Sequence, residues 1–273
     1  MTKSQYRKEP IEWFEDIPVF STHDHYTENY ERISVDHLRH FEKTGRNPFM
    51  NEDHWQEVES STRKLITKYC SPGDKILDVG VGLGRLLESF PELDRYGMDI
   101  SRGYLKYAKA KGIDVCLSRI EDMPYHEHYF DCIVCTDVFE HVLDLNLSFA
   151  KIISVLKPGR FLIARVPYRE SLKRYVDPSY PYDLVHLRNF DEYSAQLFLE
   201  KIMNVKLVEW SLCGYISGRQ KVSVPIPKVN GLLRRGLDAV KLFGNTAYRL
   251  SSRILNNPSE MNLVVCNEKC NSW

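Results

Sequence analysis

Short apolar runs alternate with amphipathic segments along most of residues 52–268. The strand-like runs are Lys75–Val79, Arg95–Ile100, Asp114–Leu117, Phe130–Thr136, Arg160–Val166, Val205–Leu212 and Met261–Asn267. Helix-like segments lie between them, at Gly84–Ser89, Ser101–Lys111, Leu143–Leu156 and Asp191–Ile202. The runs at 130–136 and 160–166 are nearly all apolar, as is typical of strands covered on both faces of a parallel sheet. The alternation therefore predicts an α/β fold with a doubly wound sheet.

Two further helices are predicted ahead of the sheet. Ser34 is placed to cap a helix through about Lys43, and Asn51 to cap a second helix that runs to about Cys70. We expect residues 1–50 to form a lid segment, residues 51–213 with 259–268 to form the main domain, and residues 214–258 to form an insert.

Size and composition are those of an ordinary globular chain. The 273 residues are 43% hydrophobic and 27% charged, enough for one large α/β core. The seven cysteines are scattered and odd in number, so a disulfide framework is not expected. No apolar run approaches the roughly 18 residues of a membrane-spanning helix. These features favour a cytoplasmic protein.

The zero net charge of the chain is unevenly distributed. Between Gly214 and Pro258, eight basic residues stand against one acid, Asp238, and apolar residues recur there at helical spacing. A basic amphipathic insert favours contact through residues 225–258 with an anionic membrane surface or with a second copy of the chain. A docked helix pair with a solvated basic face fits the same pattern.

The most informative motif spans the end of the first predicted strand of the sheet and the turn after it. Residues 76–84 read Ile-Leu-Asp-Val-Gly-Val-Gly-Leu-Gly, in which glycines at alternate positions let a flat ligand lie against bare main chain. A dinucleotide-binding fingerprint would read G-x-G-x-x-G. The G-x-G-x-G spacing, with an acid two residues ahead, resembles motif I of the class I S-adenosylmethionine (SAM)-dependent methyltransferases.

Three later segments strengthen that resemblance. Asp99, 21 positions after Asp78, ends the next strand, where a carboxylate can accept both ribose hydroxyls. Residues 118–124 resemble the segment of the family that grips adenine, although Arg119 stands where an acid is usual. Two further stretches resemble segments of small-molecule and quinone methyltransferases. They are residues 135–142, which include Glu-His-Val, and the Leu-Lys-Pro-Gly-Arg turn at 156–160.

The resemblance implies a Rossmann-like sheet of seven strands with an antiparallel last strand, an N-terminal helical lid, and SAM as cofactor. The residues that it places at the cofactor are Asp78, Gly80, Val81, Gly82, Gly84, Asp99, Ile100, Ile120, Glu121 and Thr136.

The candidate catalytic residues are His141, His186 and Asp137. An imidazole titrates near working pH and can take a proton from an acceptor hydroxyl. His186 comes after a tyrosine-rich segment that is suited to covering a substrate. Asp137, Glu140 and His141 also form a pattern similar to the divalent-metal site of some quinone O-methyltransferases, but we assign no metal from the sequence.

The predicted function is SAM-dependent methyl transfer to a small molecule or glycan, at oxygen. An N-methyltransferase, a catalytically silent SAM-binding partner protein and a nicotinamide oxidoreductase are the alternatives. Nucleic acid is not expected as substrate, because the fourth strand of the predicted sheet continues Thr-Asp-Val-Phe at 136–139. The Asn/Asp-Pro-Pro-Tyr/Phe signature of amino-methylating nucleic-acid enzymes is absent there.

Overall fold

Nine strands form one sheet within residues 4–217, 240 and 244–269, which are the residues that this computed structural model describes. The strands are β1 (Glu12–Phe14), β2 (Ile17–Val19), β3 (Lys75–Val79), β4 (Asp94–Asp99), β5 (Asp114–Leu117), β6 (Phe130–Thr136), β7 (Leu156–Pro167), β8 (Val205–Cys213) and β9 (Glu260–Lys269). Their order across the sheet is β1-β2-β5-β4-β3-β6-β7-β9-β8.

The centre of the sheet is parallel and one edge is antiparallel. Strand β3 pairs in parallel with β4 and β6, and the chain reverses strand order on the two sides of β3. Strand β9 pairs antiparallel with both β7 and β8. The predicted doubly wound, mostly parallel fold with an antiparallel last strand is therefore confirmed, and the carboxyl ends of β3, β4 and β6 share one edge of the sheet.

The prediction of seven strands was wrong by two. Strands β1 and β2 form a hairpin that adds to the outer edge of β5, where Val19 pairs with Leu117. Each of the two strands has only three residues, and they lie in a polar segment. Runs of that length are too short to show the alternation by which the other strands are recognised.

Six α-helices lie among the described residues: α1 (His25–Thr44), α2 (Glu52–Tyr69), α3 (Arg102–Ala110), α4 (Leu145–Val155), α5 (Glu192–Gln196) and α6 (Asn245–Leu255). A π-helical turn, Leu197–Ile202, extends α5. Asn51 caps α2 and Ser101 caps α3, each by accepting a backbone amide hydrogen bond, as predicted.

Two helix predictions were wrong. Helix α1 begins nine residues before Ser34, because Asp24 and Thr27 form a capping box there; Ser34 lies inside the helix and its hydroxyl bonds that of Ser101 at 2.7 Å. The glycine-rich loop leads only to a single 3-10 turn, Leu87–Ser89. The proline at position 91 disfavours helical backbone just before it, which leaves too few residues for a helix.

The two faces of the sheet are covered by different helices. In β6, Cys132 packs with Ile66 of α2 on one face, and Cys135 packs with Phe149 of α4 on the other. The C-x-x-C pair of β6 thus points to opposite faces of the sheet, as its position in a strand predicts.

The predicted insert falls largely outside the described residues, which omit 218–239 and 241–243. Its basic, amphipathic character and its membrane or dimer contact therefore stay predictions. Among the described residues, no helix combines the length and apolarity that crossing a membrane would take.

Gly84 fixes the glycine-rich loop against α3. Its φ is +70°, and a Cβ at this position would lie 2.9 Å from the Cα of Ala108 and 2.8 Å from Cδ1 of Ile113. The first of these contacts is with main chain, which cannot move aside cheaply. Gly45, which ends α1, has a similar φ of +67° but no described atom within 4 Å of such a Cβ.

We expect Gly84→Ala to lower the free energy of unfolding by about 3 kcal/mol, because it combines backbone strain with a steric clash. Gly45→Ala, the matched control, carries only the strain and should lose about 1 kcal/mol. Urea unfolding of both variants measures the difference. Equal losses would show that close packing on α3 is not what requires glycine at position 84.

Candidate functional site

A cavity of about 680 Å³ opens at the carboxyl ends of the central parallel strands. Its walls come from the loops after β3, β4, β5, β6 and β7, together with α1, α2 and the segment 174–186. This edge, where strand order reverses, is where ligands of doubly wound sheets bind. The volume is in the range of small-molecule and cofactor sites.

The glycine-rich loop is held flat against β4 at one end of this cavity. The amides of Gly80 and Val81 both donate to the carbonyl of Met98, at 2.7 and 3.1 Å. A Cβ at Gly80 would overlap Cγ2 of Val138, whereas one at Gly82 would meet only a backbone oxygen at 4.0 Å among the described atoms. Gly80 is thus required by packing, and Gly82 leaves bare main chain facing the cavity.

Asp99 ends β4 with its carboxylate already oriented. One oxygen accepts the amide of Gly82 and the other that of Ser101, both at 2.9 Å. Burial raises the pKa of Asp99, and the backbone hydrogen bonds lower it. Burial is the larger effect, so the pKa is about 6. Each carboxylate oxygen has a second lone pair, so the group can still accept hydroxyls from a ligand.

Asp78 supplies a second buried carboxyl next to the loop. It is 2% exposed, and its Oδ1 has no hydrogen-bond partner among the described residues. Burial, and then the charge of Asp99, raise the pKa of Asp78 well above its usual range. A buried carboxyl without a partner is costly unless a ligand pairs with it. The bare loop, Asp99 and this orphan oxygen together fit a nucleoside that carries an amino group.

The residues predicted at the cofactor fall into two groups. Those that line the cavity are Asp78, Gly80, Val81, Gly82, Asp99, Ile100, Ile120, Glu121 and Thr136. Val81 does so with its main chain, because its side chain packs beneath Gly97. Gly84 does not line the cavity. Its assignment to cofactor binding stays a prediction; the contact that the structure shows is close packing against α3, whose main chain occupies the space beside it.

The segment predicted to grip adenine is tied to the start of α1. Arg119 forms an ion pair with Asp24 at 2.5 Å and lies over the ring of Tyr26, with its guanidinium carbon 5.0 Å from the ring centre. Glu121 accepts the hydroxyl of Ser148 at 3.3 Å. Arg119 therefore serves to anchor α1, which accounts for a base standing where the family usually has an acid.

Asp137 lies where β6 leaves the sheet, but its carboxylate is already engaged. Arg165 of β7 binds it through two nitrogens, at 3.2 and 2.5 Å, and also donates to Thr62 at 3.0 Å. Burial lowers the pKa of Arg165, but the charge of Asp137, its hydrogen bonds and the charge of Glu260 together raise that pKa. Asp137 is thus held in an ion pair with a buried arginine rather than free to act as a proton acceptor.

The structure brings His141 and His186 together, although His141 and Val185, which His141 bonds, are 44 positions apart in the chain. The ring centres of the two histidines are 4.6 Å apart. Nδ1 of His141 donates to the carbonyl of Val185 at 3.0 Å, and Nδ1 of His186 bonds the carboxylate of Glu170. Burial, and then His186, lower the pKa of His141 to about 4. His141 is therefore neutral at physiological pH.

Glu140 lies beneath the two histidines and is fully buried. Neither of its carboxylate oxygens has a hydrogen-bond partner among the described residues. Burial, and then Asp137, raise the pKa of Glu140 well above its usual range. The ligand atoms of Glu140, His141 and His186 lie within 4.8 Å of one another, a set that a divalent cation could use. This set differs from the sequence pattern, because Asp137 is held by Arg165.

Helix α1 and the segment 181–188 meet over the cavity. Nδ2 of Asn29 donates to the carbonyl of Leu184 at 2.6 Å, and its Oδ1 accepts the amide of Asp183 at 3.1 Å. The hydroxyl of Tyr30 reaches the carbonyl of Val185 at 3.3 Å. Asn29, which is 3% exposed, therefore holds the segment that carries His186 against the predicted lid.

Sequence reasoning missed Glu170, Arg165 and Asn29. Glu170 lies three residues after the end of β7, so its position near the carboxyl edge of the sheet was an available signal. Arg165 sits inside an apolar strand, where an arginine is unusual unless paired. Nothing in the sequence around Asn29 indicates its partners, which are more than 150 residues away.

Comparison with known proteins agrees with this geometry. Residues 77–164 match a methyltransferase domain family. A ubiquinone biosynthesis O-methyltransferase of Nitrobacter winogradskyi is 35% identical over 103 residues, which cover 35% of this chain and 39% of the relative. A tRNA (carboxymethyluridine(34)-5-O)-methyltransferase of Arabidopsis thaliana is 29% identical over 115 residues, covering 41% of this chain and 27% of the relative. The chain thus spans well under half the length of these relatives.

Solved structures support the fold. The methyltransferase in a complex with the Haloferax volcanii Trm112 activator superposes with a TM-score of 0.59 at 14% identity, over 91% of this chain and all of that one. A SAM-dependent methyltransferase from Thermotoga maritima gives 0.55 at 15%, over 89% of this chain and all of that one. These comparisons place residues 77–164 in a methyltransferase domain family and show the fold; they support the predicted class I SAM-dependent methyltransferase domain with SAM as its cofactor.

The pKa of about 6 for Asp99 predicts how cofactor binding depends on pH. Above pH 6 the carboxylate is ionised and can accept ribose hydroxyls; below it, protonation removes that capacity. We expect the affinity for SAM to fall about tenfold between pH 7.5 and pH 5. Isothermal titration of the wild type and Asp99→Asn measures this: the variant should bind weakly and with little pH dependence. A pH-dependent variant would assign the effect to another group.

The contact between Asn29 and segment 181–188 predicts local opening when it is lost. In Asn29→Ala, the amide of Asp183 should exchange with deuterium about tenfold faster, because losing a hydrogen bond of about 1.4 kcal/mol favours the open state by that factor. Hydrogen exchange with mass spectrometry on peptides spanning 181–188 tests this. Tyr107→Phe, which removes an exposed hydrogen bond to Glu42 of the same helix, is the control. Unchanged exchange in Asn29→Ala would contradict the proposed anchoring.

Proposed function

We propose that this chain, which carries a class I SAM-dependent methyltransferase domain, transfers a methyl group from SAM to an oxygen of a small-molecule or glycan acceptor. The observation that supports this best is the arrangement of one continuous cavity. Its cofactor end has a bare glycine loop and Asp99, and its other end has two histidines with available lone pairs.

The bound cofactor supplies a methyl group already activated by a positively charged sulfur. The protein then has to align the acceptor, exclude water and remove a proton from a hydroxyl. His141 and His186 each hold Nδ1 in a hydrogen bond to an oxygen, which leaves Nε2 to face other groups. We propose that this histidine pair is the proton-accepting group. We also propose that Asp137, through its ion pair with Arg165, positions the loop that leads from β6 to His141.

The charges at the acceptor end favour a small neutral or cationic acceptor over nucleic acid. Four carboxyl groups line this end, those of Asp137, Glu140, Glu170 and Glu260, and the arginines that line it are Arg165 and Arg174. Asp137 and Glu170 are paired with Arg165 and Arg174, and the raised pKa of Glu140 leaves that carboxyl uncharged, so this end has no excess of basic groups with which to hold a phosphate backbone. The Arabidopsis relative is named for a tRNA substrate, but the proposal for this chain remains a small molecule or glycan.

Two alternatives are compatible with the same cavity. An amine acceptor would be attracted by the carboxyl groups, and N-methylation is therefore the second candidate. A silent SAM-binding partner protein would bind the cofactor without an organised acceptor end. The burial of Glu140 and the contact between the two histidines favour an organised one.

The test is transfer of labelled methyl from SAM to a panel of catechols, phenols, monosaccharides and primary amines, followed by mass spectrometry of the products. We expect an O-methylated product, and a loss of at least 10²-fold in turnover when both His141 and His186 are replaced by alanine, because the proton acceptor is lost. SAM binding by the double variant should be unchanged. Turnover that survives both replacements would mean that catalysis depends on positioning alone, and methylated amines would select the second candidate.

A further inference from the structure

We infer that the proton acceptor is a His186–Glu170 pair, in which Nε2 of His186 takes the proton and Glu170 acts as the positioning residue. This inference rests on the proposed function and assigns to the reaction a residue that the sequence did not indicate. It also distinguishes between the two histidines, which the sequence left as rivals.

Glu170 determines which nitrogen of His186 is available. The carboxylate bonds Nδ1 of His186, and its side chain is 8% exposed. Burial alone would raise the pKa of Glu170, but the hydrogen bond and charge of His186 lower it, so the group is ionised at neutral pH. An ionised carboxylate can only accept, so Nδ1 must carry the hydrogen, and in the neutral imidazole Nε2 then holds the lone pair.

Glu170 is itself held in place by two donors. Nη2 of Arg174 and the hydroxyl of Tyr175 both reach its Oε1 at 3.0 Å, while Oε2 faces His186. The ring of Tyr175 also lies 4.8 Å from that of His186. A carboxylate fixed in this way holds the imidazole in one orientation and stabilises the imidazolium that forms when Nε2 takes a proton.

His141 lacks this support. Its Nδ1 donates to a neutral carbonyl, that of Val185, and its Nε2 faces Glu140 at 3.7 Å. With its pKa lowered to about 4, His141 is a weak base near neutral pH. The structure therefore assigns His141 to holding the segment that carries His186, and leaves proton transfer to His186.

The step balances with the groups named. The acceptor oxygen forms a bond to the methyl carbon, the carbon–sulfur bond breaks with its electron pair going to sulfur, and the hydroxyl proton moves to Nε2 of His186. The imidazolium formed is stabilised by Glu170 and later returns its proton to solvent. No oxidant, reductant or further co-reactant is required.

The test replaces Glu170 by glutamine in the full chain with SAM bound. A carboxamide can donate to Nδ1, so the ring hydrogen moves to Nε2. Nε2 then has no lone pair with which to take the proton of the acceptor. Selective ¹⁵N labelling of histidine, with His186→Gln for assignment, reports the tautomer by NMR. We expect the Nδ1–H form in the wild type and the Nε2–H form in Glu170→Gln, with kcat lowered about 10²–10⁴-fold and KM little changed.

Two matched variants separate positioning from a merely structural role. Glu170→Asp keeps a carboxylate and should restore the Nδ1–H tautomer and part of the turnover, and it replaces Glu170→Gln as the test if that variant fails to fold. Glu192→Gln makes the same chemical change at a nearby acid that pairs with Arg169 outside the cavity, and it should leave both readouts unchanged.

The inference is overturned if Glu170→Gln keeps both the Nδ1–H tautomer and full turnover. It is also overturned if exhaustive chelation abolishes turnover and Mn²⁺ restores it, because the lone pairs of the histidines would then serve a metal. The tautomer measurement requires no acceptor. If no acceptor is methylated while Glu170 still controls the tautomer, the proposed function fails, and only the positioning of His186 by Glu170 is retained.

Discussion

The contact on which the site depends is the hydrogen bond from the amide of Gly82 to the carboxylate of Asp99. It joins the tip of the glycine-rich loop to the end of β4 across the edge of the sheet, at 2.9 Å. Two further amides of the loop, those of Gly80 and Val81, bond the carbonyl of Met98 in the same strand. The loop is therefore a fixed surface before any ligand arrives, and the carboxylate beside it has its remaining lone pairs oriented toward the cavity.

This cofactor end could be predicted from sequence because its determinants are local. Gly80, Gly82 and Gly84 lie within five residues, and Asp99 stands at the end of the next strand. The sequence could not show that the three glycines have different roles. Gly80 contacts Val138, Gly82 exposes main chain to the cavity, and Gly84 packs against α3. The spacing of the glycines does not distinguish these roles, which depend on the surroundings of each glycine.

The acceptor end was predicted less completely, because its contacts join residues far apart in the chain. His141 and His186 were both candidates, but their proximity depends on Val185 accepting from His141, and on Asn29 of α1 holding the same segment. The elements that the sequence did not predict were missed for local reasons. The β1–β2 hairpin is too short to show a period, and the true start of α1 depends on a capping box at Asp24 rather than on Ser34.

The two ends of the cavity are mechanically joined at Val138. Asp137, just before it, has a φ of +57°, a left-handed conformation that costs a non-glycine residue about 1 kcal/mol or more. The bidentate contact with Arg165 and the backbone bond from Asp137 to the Arg165 carbonyl at 2.9 Å hold it there. The turn so formed presses Val138 onto Gly80 and places Glu140 and His141 in the wall of the cavity. The ion pair thus fixes the position of the glycine-rich loop relative to His141, which is why a buried arginine in an otherwise apolar strand belongs to this site.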